Sequence, residues 1–173
     1  MKELADYYFQ IDDNYIHADY AHEFVVKEAT WKYVPYIWIV ENSPPKYETW
    51  IKGDLFLTAI HAKFHGWVDF YITRGKHAHS WHTDAAEKCS INMVFETYNS
   101  HTLFSLKNEK VDIHQFAELK YVPKKWTIIN TEKKHTVMNF EDRDRFLMCY
   151  RVPPAINYQN VVDWYINEYK HHE

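Results

Sequence analysis

The amino-acid sequence predicts a mainly β fold, a jelly roll of two facing sheets with flanking N- and C-terminal helices. Eight short strand-like runs follow one another between residues 67 and 152, separated by turns. Aromatic residues make up 18% of the 173 residues, and aromatic side chains are enriched in strands. A cupin-like jelly roll accommodates eight short strands in two packed sheets. The length fits one domain over residues 1–173, which we divide into a support region (1–66), a jelly-roll core (67–152) and a C-terminal helical region (153–173).

The N-terminal support region is predicted to contain both helix and strand. Apolar side chains at helical spacing indicate an amphipathic helix over Asn14–Lys27, capped by Asp12 or Asp13. A strand is predicted over Pro35–Glu41, whereas Tyr47–Lys63 shows no clear preference. The side chains that set the helical spacing are Ile16, Tyr20, Ala21, Phe24 and Val25.

The core is predicted to be all β. Val68, Phe70 and Ile72 alternate with their neighbours as in a strand, and Arg74–Gly75–Lys76 has the composition of the turn that ends it. Beyond the core, helical spacing returns over Asn160–Lys170, which we expect to pack against the outside of a sheet. The predicted core strands are Val68–Thr73, Ala78–Asp84, Ile91–Tyr98, Thr102–Leu106, Gln115–Tyr121, Trp126–Asn130, Thr136–Phe140 and Arg145–Val152.

The composition excludes several classes of function. A formal net charge of -4 argues against nucleic-acid binding, because no basic stripe is available for phosphate contacts. Only 3 glycines are present, too few for a Gly-rich phosphate loop. The apolar run Tyr33–Val40 is about half the length of a membrane span. The N-terminus lacks the apolar core of a signal peptide, and Cys89 and Cys149 form no disulfide or nucleophile motif, so we expect a cytoplasmic protein with two buried thiols.

One group of residues has the chemistry of a metal site. His82 and Asp84 are two residues apart in a predicted strand, so their side chains point to the same face. His135 precedes another predicted strand that can belong to the same barrel. Two imidazoles and one carboxylate on one side of an ion form the facial triad typical of non-haem Fe(II) oxygenases, which leaves coordination positions open. Arg145 begins an apolar strand ten residues after His135, and a guanidinium in that position needs an anionic partner.

Other histidines could take these places. A second His-x-Asp motif, His17 and Asp19, lies in the predicted helix, where positions i and i+2 do not share a face, and we expect it at the surface. The distal ligand could instead be His101 or His114. We favour His135 because both the strand that follows it and its spacing to the arginine agree with a site there.

Several neighbouring residues also have two interpretations. Lys124 lies ten residues after His114 and could replace the arginine. Arg143 lies in a charged turn and is expected to be solvated. His77 and His79 are expected to be exposed histidines at the end of a strand, the alternative being that they line a substrate entrance.

The segments that carry this group resemble the Fe(II)/2-oxoglutarate-dependent dioxygenases, and within them the aspartyl/asparaginyl β-hydroxylase-like and prolyl-hydroxylase-like groups. The resemblance covers about residues 67–152 and implies a double-stranded β-helix, that is, a jelly roll. It implies a catalytic centre in which His82, Asp84 and His135 bind Fe(II) and Arg145 binds the co-substrate 2-oxoglutarate. The matching segments are Ser80–Trp81–His82–Thr83–Asp84, Trp126–Thr127–Ile128–Ile129–Asn130, His135–Thr136–Val137–Met138–Asn139 and Arg145.

The resemblance also implies an activity, the hydroxylation of a small-molecule or peptide substrate with release of succinate and CO2. One position departs from the family pattern, because Leu147 stands where some members have Ser or Thr. Another polar side chain should then complete the co-substrate pocket, and Asn92, Tyr71 and Trp81 are the candidates. The alternative function is a cupin-like domain that binds a metal or small ligand without oxygenase activity. A jelly roll that binds carbohydrate or protein through its aromatic side chains is a third possibility.

Overall fold

The computed structural model describes residues 4–34, 37–43, 47–84, 86–106 and 115–170. Two antiparallel sheets, one of seven strands and one of four, face each other. The helices pack on the outer face of the larger sheet. The mainly β jelly-roll prediction is therefore confirmed.

The larger sheet has the strand order β1-β9-β6-β11-β4-β3-β2, and the smaller sheet has the order β5-β10-β7-β8. The strands are β1 (Tyr8–Asn14), β2 (Trp31–Val34), β3 (Ile37–Val40), β4 (Trp67–Thr73), β5 (His77–Ala78), β6 (Ser90–Val94), β7 (Ser100–Ser105), β8 (Phe116–Leu119), β9 (Lys125–Ile129), β10 (His135–Asn139) and β11 (Arg145–Arg151). The helices are α1 (Ala18–Lys27), α2 (Leu55–Phe64) and α3 (Tyr158–Trp164), with shorter helical segments at Leu4–Asp6, Tyr47–Ile51 and Tyr165–Tyr169.

The N-terminal region differs from its prediction in two ways. Helix α1 begins at Ala18 and has His17 at its N-cap with no side-chain hydrogen bond there. Asp12 and Asp13 lie in strand β1, so the prediction that one of them caps the helix is wrong. Strand β1 was not predicted because its main partner is β9, at the far end of the sequence.

Two other helices begin at residues with a capping side chain. The segment with no clear preference contains α2, where the Asp54 carboxylate accepts a 2.8 Å hydrogen bond from the Leu57 amide. Helix α3 begins at Tyr158 rather than at the predicted Asn160, because Asn157 forms a capping box with Asn160. Within the described part of the chain, no helix has the length and apolar character needed to span a membrane.

Each predicted core strand has a counterpart among β4–β11, although β5, β6 and β8 are clearly shorter than expected. Strand β6 ends at Val94 instead of Tyr98, although the Phe95 ring continues the alternation of Ile91 and Met93 into the main core. Strand β5 ends at Ala78 instead of Asp84. Outside the core, β3 falls within the predicted strand over Pro35–Glu41, of which residues 35 and 36 lie outside the described chain.

The central strands of the larger sheet are buried on both faces. The side chains on their inner face lie between the two sheets, where the candidate site is found. In β11, Met148 and Tyr150 join the main core with the helices. Arg145, Leu147 and Cys149 alternate with them, so they face the smaller sheet and line a cavity between the sheets. A second, smaller core closes the space between the sheets and consists of Phe104, Ala117, Leu119 and Ile129.

Candidate active site

A β-bulge determines which side chain lies opposite His135. Strand β5 and the segment after it run antiparallel to β10, with Ala78 opposite Met138 and His82 opposite His135. Three steps along β10 therefore correspond to four along the other segment, so one extra residue is inserted. In a regular ladder Trp81 would lie opposite His135. The prediction of an unbroken strand is wrong here, and the bulge brings His82 into the position across from His135.

The three predicted metal-binding side chains converge at this point. Backbone hydrogen bonds of 2.9 Å and 2.8 Å join His82 to His135, and the Asp84 amide donates to the Thr131 carbonyl at 3.1 Å. Asp84 Oδ1 lies 3.6 Å from His82 Nε2 and 4.0 Å from His135 Nε2. One ligand atom from each residue lies within 4.8 Å of the other two. The structure thus brings together two imidazoles and one carboxylate from two separate stretches of the chain.

The hydrogen bonds of the two imidazoles orient them for metal binding. His82 Nδ1 lies 2.7 Å from the Ser80 carbonyl oxygen, and His135 Nδ1 lies 2.9 Å from the Lys133 carbonyl oxygen. A carbonyl oxygen can only accept, so each Nδ1 carries a proton, and each Nε2, the ring atom that remains for a metal, faces Asp84. Burial lowers the pKa of His135, although the nearby Asp84 carboxylate opposes this shift. The neutral imidazole, which is the form that binds metals, is therefore favoured.

Arg145 lies in the same cavity, which has a volume of about 120 Å³. Its side chain is buried, with the residue 3% exposed, and desolvation lowers the pKa of the guanidinium. The guanidinium carbon lies 5.2 Å from the centroid of the Tyr121 ring. Within the described chain, no Asp or Glu forms an ion pair with Arg145, and the groups that interact with its guanidinium are the neutral phenols of Tyr121 and Tyr98. A buried cation without a carboxylate partner is suited to an anionic ligand.

The cavity also contains a buried amide oxygen without a partner. Asn92 Oδ1 makes no hydrogen bond within the described residues, and Asn92 lines the cavity with Arg145. Leu147 lines it as well, so the family's Ser or Thr is replaced by an apolar wall at that position. Tyr71 is a lining residue, whereas Trp81 is not among the described side chains that line this cavity. Asn92 and Tyr71 are therefore placed to contact a ligand there.

The position of Arg145 depends on Asn139, a role that the sequence does not reveal. Asn139 is buried, and its Nδ2 lies within hydrogen-bond distance of the carbonyl oxygens of Thr73 (3.1 Å), Arg74 (3.2 Å) and Arg143 (2.9 Å). These bonds join the end of β4 to the loop before β11. They fix the backbone from which Arg145 projects.

The turn after β4 also requires a glycine. A Cβ atom on Gly75 would lie 2.1 Å from the Asp142 carbonyl oxygen, which is far inside contact distance. The Gly75 amide donates to Asp144 Oδ1 at 3.1 Å, and the Lys76 amide donates to the Glu141 carbonyl at 2.8 Å. The turn therefore packs directly on the loop that leads to Arg145.

The alternative ligands lie apart from the triad. His101 Nδ1 is 2.6 Å from Glu118 Oε1, and His101 does not line the cavity that holds the triad. His17 is the N-cap residue of α1, and Asp19 is exposed and pairs with Lys124. His114 lies outside the described residues.

Two further expectations concern residues near the site. Arg143 is exposed, as expected, and pairs with Glu96 and Glu141. His77 is exposed, but His79 lines the cavity, with its Nε2 3.4 Å from Thr73 Oγ1. His77 is therefore exposed as expected, whereas His79 fits the alternative that it lines a substrate entrance.

The residues present fit both a metal ion and a small dicarboxylate. Two Nε2 lone pairs and one carboxylate are the donor set of a facial triad, and they leave coordination positions open towards the cavity. The Arg145 guanidinium, which has no carboxylate partner among the described residues, supplies hydrogen-bond donors for an anionic ligand at the other end. Chemically, the cavity can hold an anionic chelator between a metal and an arginine.

No protein-family model matches the sequence, and no curated protein matches it. Solved structures resemble the fold. An oxidoreductase of the 2OG-Fe(II) oxygenase family from Burkholderia pseudomallei has a TM-score of 0.60 at 10% identity, covering 85% of this chain and 84% of that chain. A prolyl-4-hydroxylase from Pseudomonas putida has a TM-score of 0.57 at 11% identity, covering 88% and 96%. EvdO2 from Micromonospora carbonacea var. aurantiaca has a TM-score of 0.56 at 9% identity, covering 88% and 89%. At such identities the likeness is one of fold, and this chain has the same fold as a 2OG-Fe(II) oxygenase.

Proposed function

We propose that this protein is an Fe(II)- and 2-oxoglutarate-dependent dioxygenase that hydroxylates a small-molecule or peptide substrate. The observation that supports it best is that one cavity holds a His-Asp-His group and a buried arginine with no carboxylate partner among the described residues. His82, Asp84 and His135 would bind the iron, and Arg145 would bind the distal carboxylate of 2-oxoglutarate. Together, bound iron and 2-oxoglutarate supply oxidation by O2 coupled to decarboxylation, with succinate and CO2 as co-products. The prolyl-hydroxylase-like and aspartyl/asparaginyl β-hydroxylase-like groups are the ones that the sequence resemblance implies, and a prolyl-4-hydroxylase is among the solved structures with a similar fold.

The protein's own contribution is to orient the ligands and to shield the site. Backbone carbonyls hold both imidazoles with Nε2 facing inwards. Asn92 could bind a co-substrate oxygen only through its amide Nδ2, because its Oδ1 can only accept, and Leu147 forms an apolar wall of the cavity. A pre-oriented, partly dry site lowers the entropic and solvation cost of bringing the reactants together.

Exposure indicates the direction from which the substrate enters. The His82 and Asp84 side chains are 40% and 35% exposed, whereas Arg145 is buried. The co-substrate would therefore occupy the deep end, and the substrate would approach the triad from solvent. Ile37 and Val137, from opposite sheets, line the cavity with aliphatic surface. We expect the reacting group to be an uncharged carbon centre, and the net charge of -4 argues against nucleic acid as substrate.

The two cysteines of the chain are free and buried. Free thiols persist in a reducing compartment, and this supports the proposal that the protein acts in the cytoplasm.

The deciding experiment is the anaerobic addition of Fe(II) and 2-oxoglutarate to the metal-free protein. A weak visible metal-to-ligand charge-transfer band should appear, and it should be lost in Asp84→Ala and in Arg145→Ala. His101→Ala is the matched control, because this histidine lies outside the triad cavity. It should leave the band intact.

A protein that binds the metal but shows no band would instead be a cupin-like binding domain without oxygenase activity. If the band is present, succinate release should be measured over a panel of amino acids, peptides and small metabolites. A substrate is identified by a rise in succinate above the level produced without it.

A further inference from the structure

We propose that the ion pair between Glu87 and Arg151 is a positioning device for Asp84, which prepares this carboxylate for the metal. The inference rests on the proposed function, because it assumes that Asp84 is a ligand. It concerns residues that do not themselves reach the metal. Their role would be to hold the loop that carries the ligand against the sheet.

Asp84 needs such support because its own contacts are few. Within the described chain, the side chains that lie within ion-pair distance of its carboxylate are the imidazoles of His82 and His135, which are ligand candidates themselves. Its side chain is 35% exposed and lies in a segment outside any strand. The direction of the carboxylate before metal binding is therefore determined by the backbone of its loop.

Three hydrogen bonds hold that backbone. The Asp84 amide donates to the Thr131 carbonyl at 3.1 Å, and Thr131 Oγ1 donates to the Glu87 carbonyl at 2.7 Å. The Glu87 amide in turn donates to the Asp84 carbonyl at 3.3 Å. A displacement of Glu87 would therefore be transmitted to Asp84 both directly and through Thr131.

The Glu87 side chain ties the loop to the centre of the larger sheet. Glu87 is buried and forms an ion pair with Arg151 of β11, a strand that pairs on both sides, with β4 and β6. Arg151 Nη1 also lies 3.2 Å from Asp69 Oδ2, and its guanidinium lies 5.2 Å from the centroid of the Trp67 ring. Trp67 Nε1 completes the chain by donating to Asp69 at 2.9 Å. Such a pair adds little net stability, so its proposed role here is to fix the geometry of the loop.

A test can separate positioning from a purely electrostatic effect, because the two predict opposite changes in the metal affinity of Arg151→Met. If Arg151 acted only through its charge, Arg151→Met would remove a cation near the site and tighten the binding of a divalent metal. If the pair positions Asp84, both Arg151→Met and Glu87→Gln should weaken binding. Changes to groups that orient metal ligands commonly weaken affinity about 10–100-fold, and we expect at least a tenfold loss in each variant.

The measurement is titration of the metal-free protein with Mn(II), followed by the electron paramagnetic resonance signal of the free ion. The double variant should bind no more weakly than the weaker single variant, because the two side chains act as one unit. Glu96→Gln is the matched control, since Glu96 forms an exposed ion pair with Arg143. It should bind Mn(II) like the wild type. Urea unfolding of each metal-free variant shows whether it is folded during the titration.

Each outcome of the Mn(II) titration either supports or overturns the inference. Unchanged or tighter binding by folded Arg151→Met overturns the inference. If this variant does not fold, Arg151→Lys replaces it, because lysine keeps the charge but cannot bridge two carboxylates with a planar fork; wild-type affinity in that variant would also contradict the inference. A wild-type protein that binds no Mn(II) would instead overturn the metal site itself, and with it the proposed function.

Discussion

Replacing Arg145 by Met should make the ligand-free protein more stable, although it removes a residue of the proposed site. The guanidinium is buried and has no carboxylate partner among the described residues. The cation–π contact with Tyr121 offsets only about 0.5–2 kcal/mol of its desolvation. Replacing a buried ion by an apolar side chain of similar size is neutral or stabilising, by up to about 4 kcal/mol in favourable cases. We therefore expect the free energy of unfolding to rise by about 1–3 kcal/mol.

The same substitution should abolish stabilisation by the co-substrate. With Mn(II) in place of iron, 2-oxoglutarate at one hundred times its dissociation constant should stabilise the wild type by about 2.7 kcal/mol. The same concentration of 2-oxoglutarate should leave the free energy of unfolding of Arg145→Met almost unchanged. Both quantities come from urea unfolding curves at equal protein concentration. A ligand-free variant more than about 1 kcal/mol less stable than the wild type would refute the reasoning, because it would show that the guanidinium is already satisfied within the protein.

Three further predictions concern other buried groups. Asn139→Ala should lower the free energy of unfolding by about 2–3 kcal/mol, because the two N–H groups that three backbone carbonyls share are lost; urea unfolding measures it. Burial raises the pKa of Asp54, so its contribution to stability is largest below the ordinary Asp pKa of about 3.9 and is lost as pH rises through the raised value. The stability difference between wild type and Asp54→Asn should therefore shrink over that range, as measured by unfolding at several pH values. Burial also raises the pKa values of Cys89 and Cys149, so a thiol reagent at pH 8 should react with neither until the protein is unfolded.

The core strands could be predicted from the sequence because their signal is local. Short apolar runs bounded by turn residues mark β4–β11, and every predicted run has a counterpart. Strand β1 lacks such a signal, since Tyr8–Asn14 ends in acidic and amide residues and is held mainly by pairing with β9. Helix α2 was equally hard to predict from hydrophobic periodicity, because apolar residues occur all round it and its start depends on the cap at Asp54. Elements defined by long-range pairing or by a single cap leave little trace in a periodic pattern.

For the candidate site, the sequence predicts which residues are the ligands but not how they are oriented. His82, Asp84 and His135 could be singled out because their residue types and spacing are those of a metal triad, whatever the local backbone. The alternation argument used to orient the first two was incomplete, because a regular ladder would have placed Trp81 across from His135. The inserted residue that corrects this has no side-chain signature, since any residue type can occupy such a bulge. The same holds for the supports of the site, because the partners of Glu87 lie on β11 and just after β9, far away in sequence. A sequence can therefore identify ligands by their chemistry, whereas the residues that aim them become visible only when the strands are assembled.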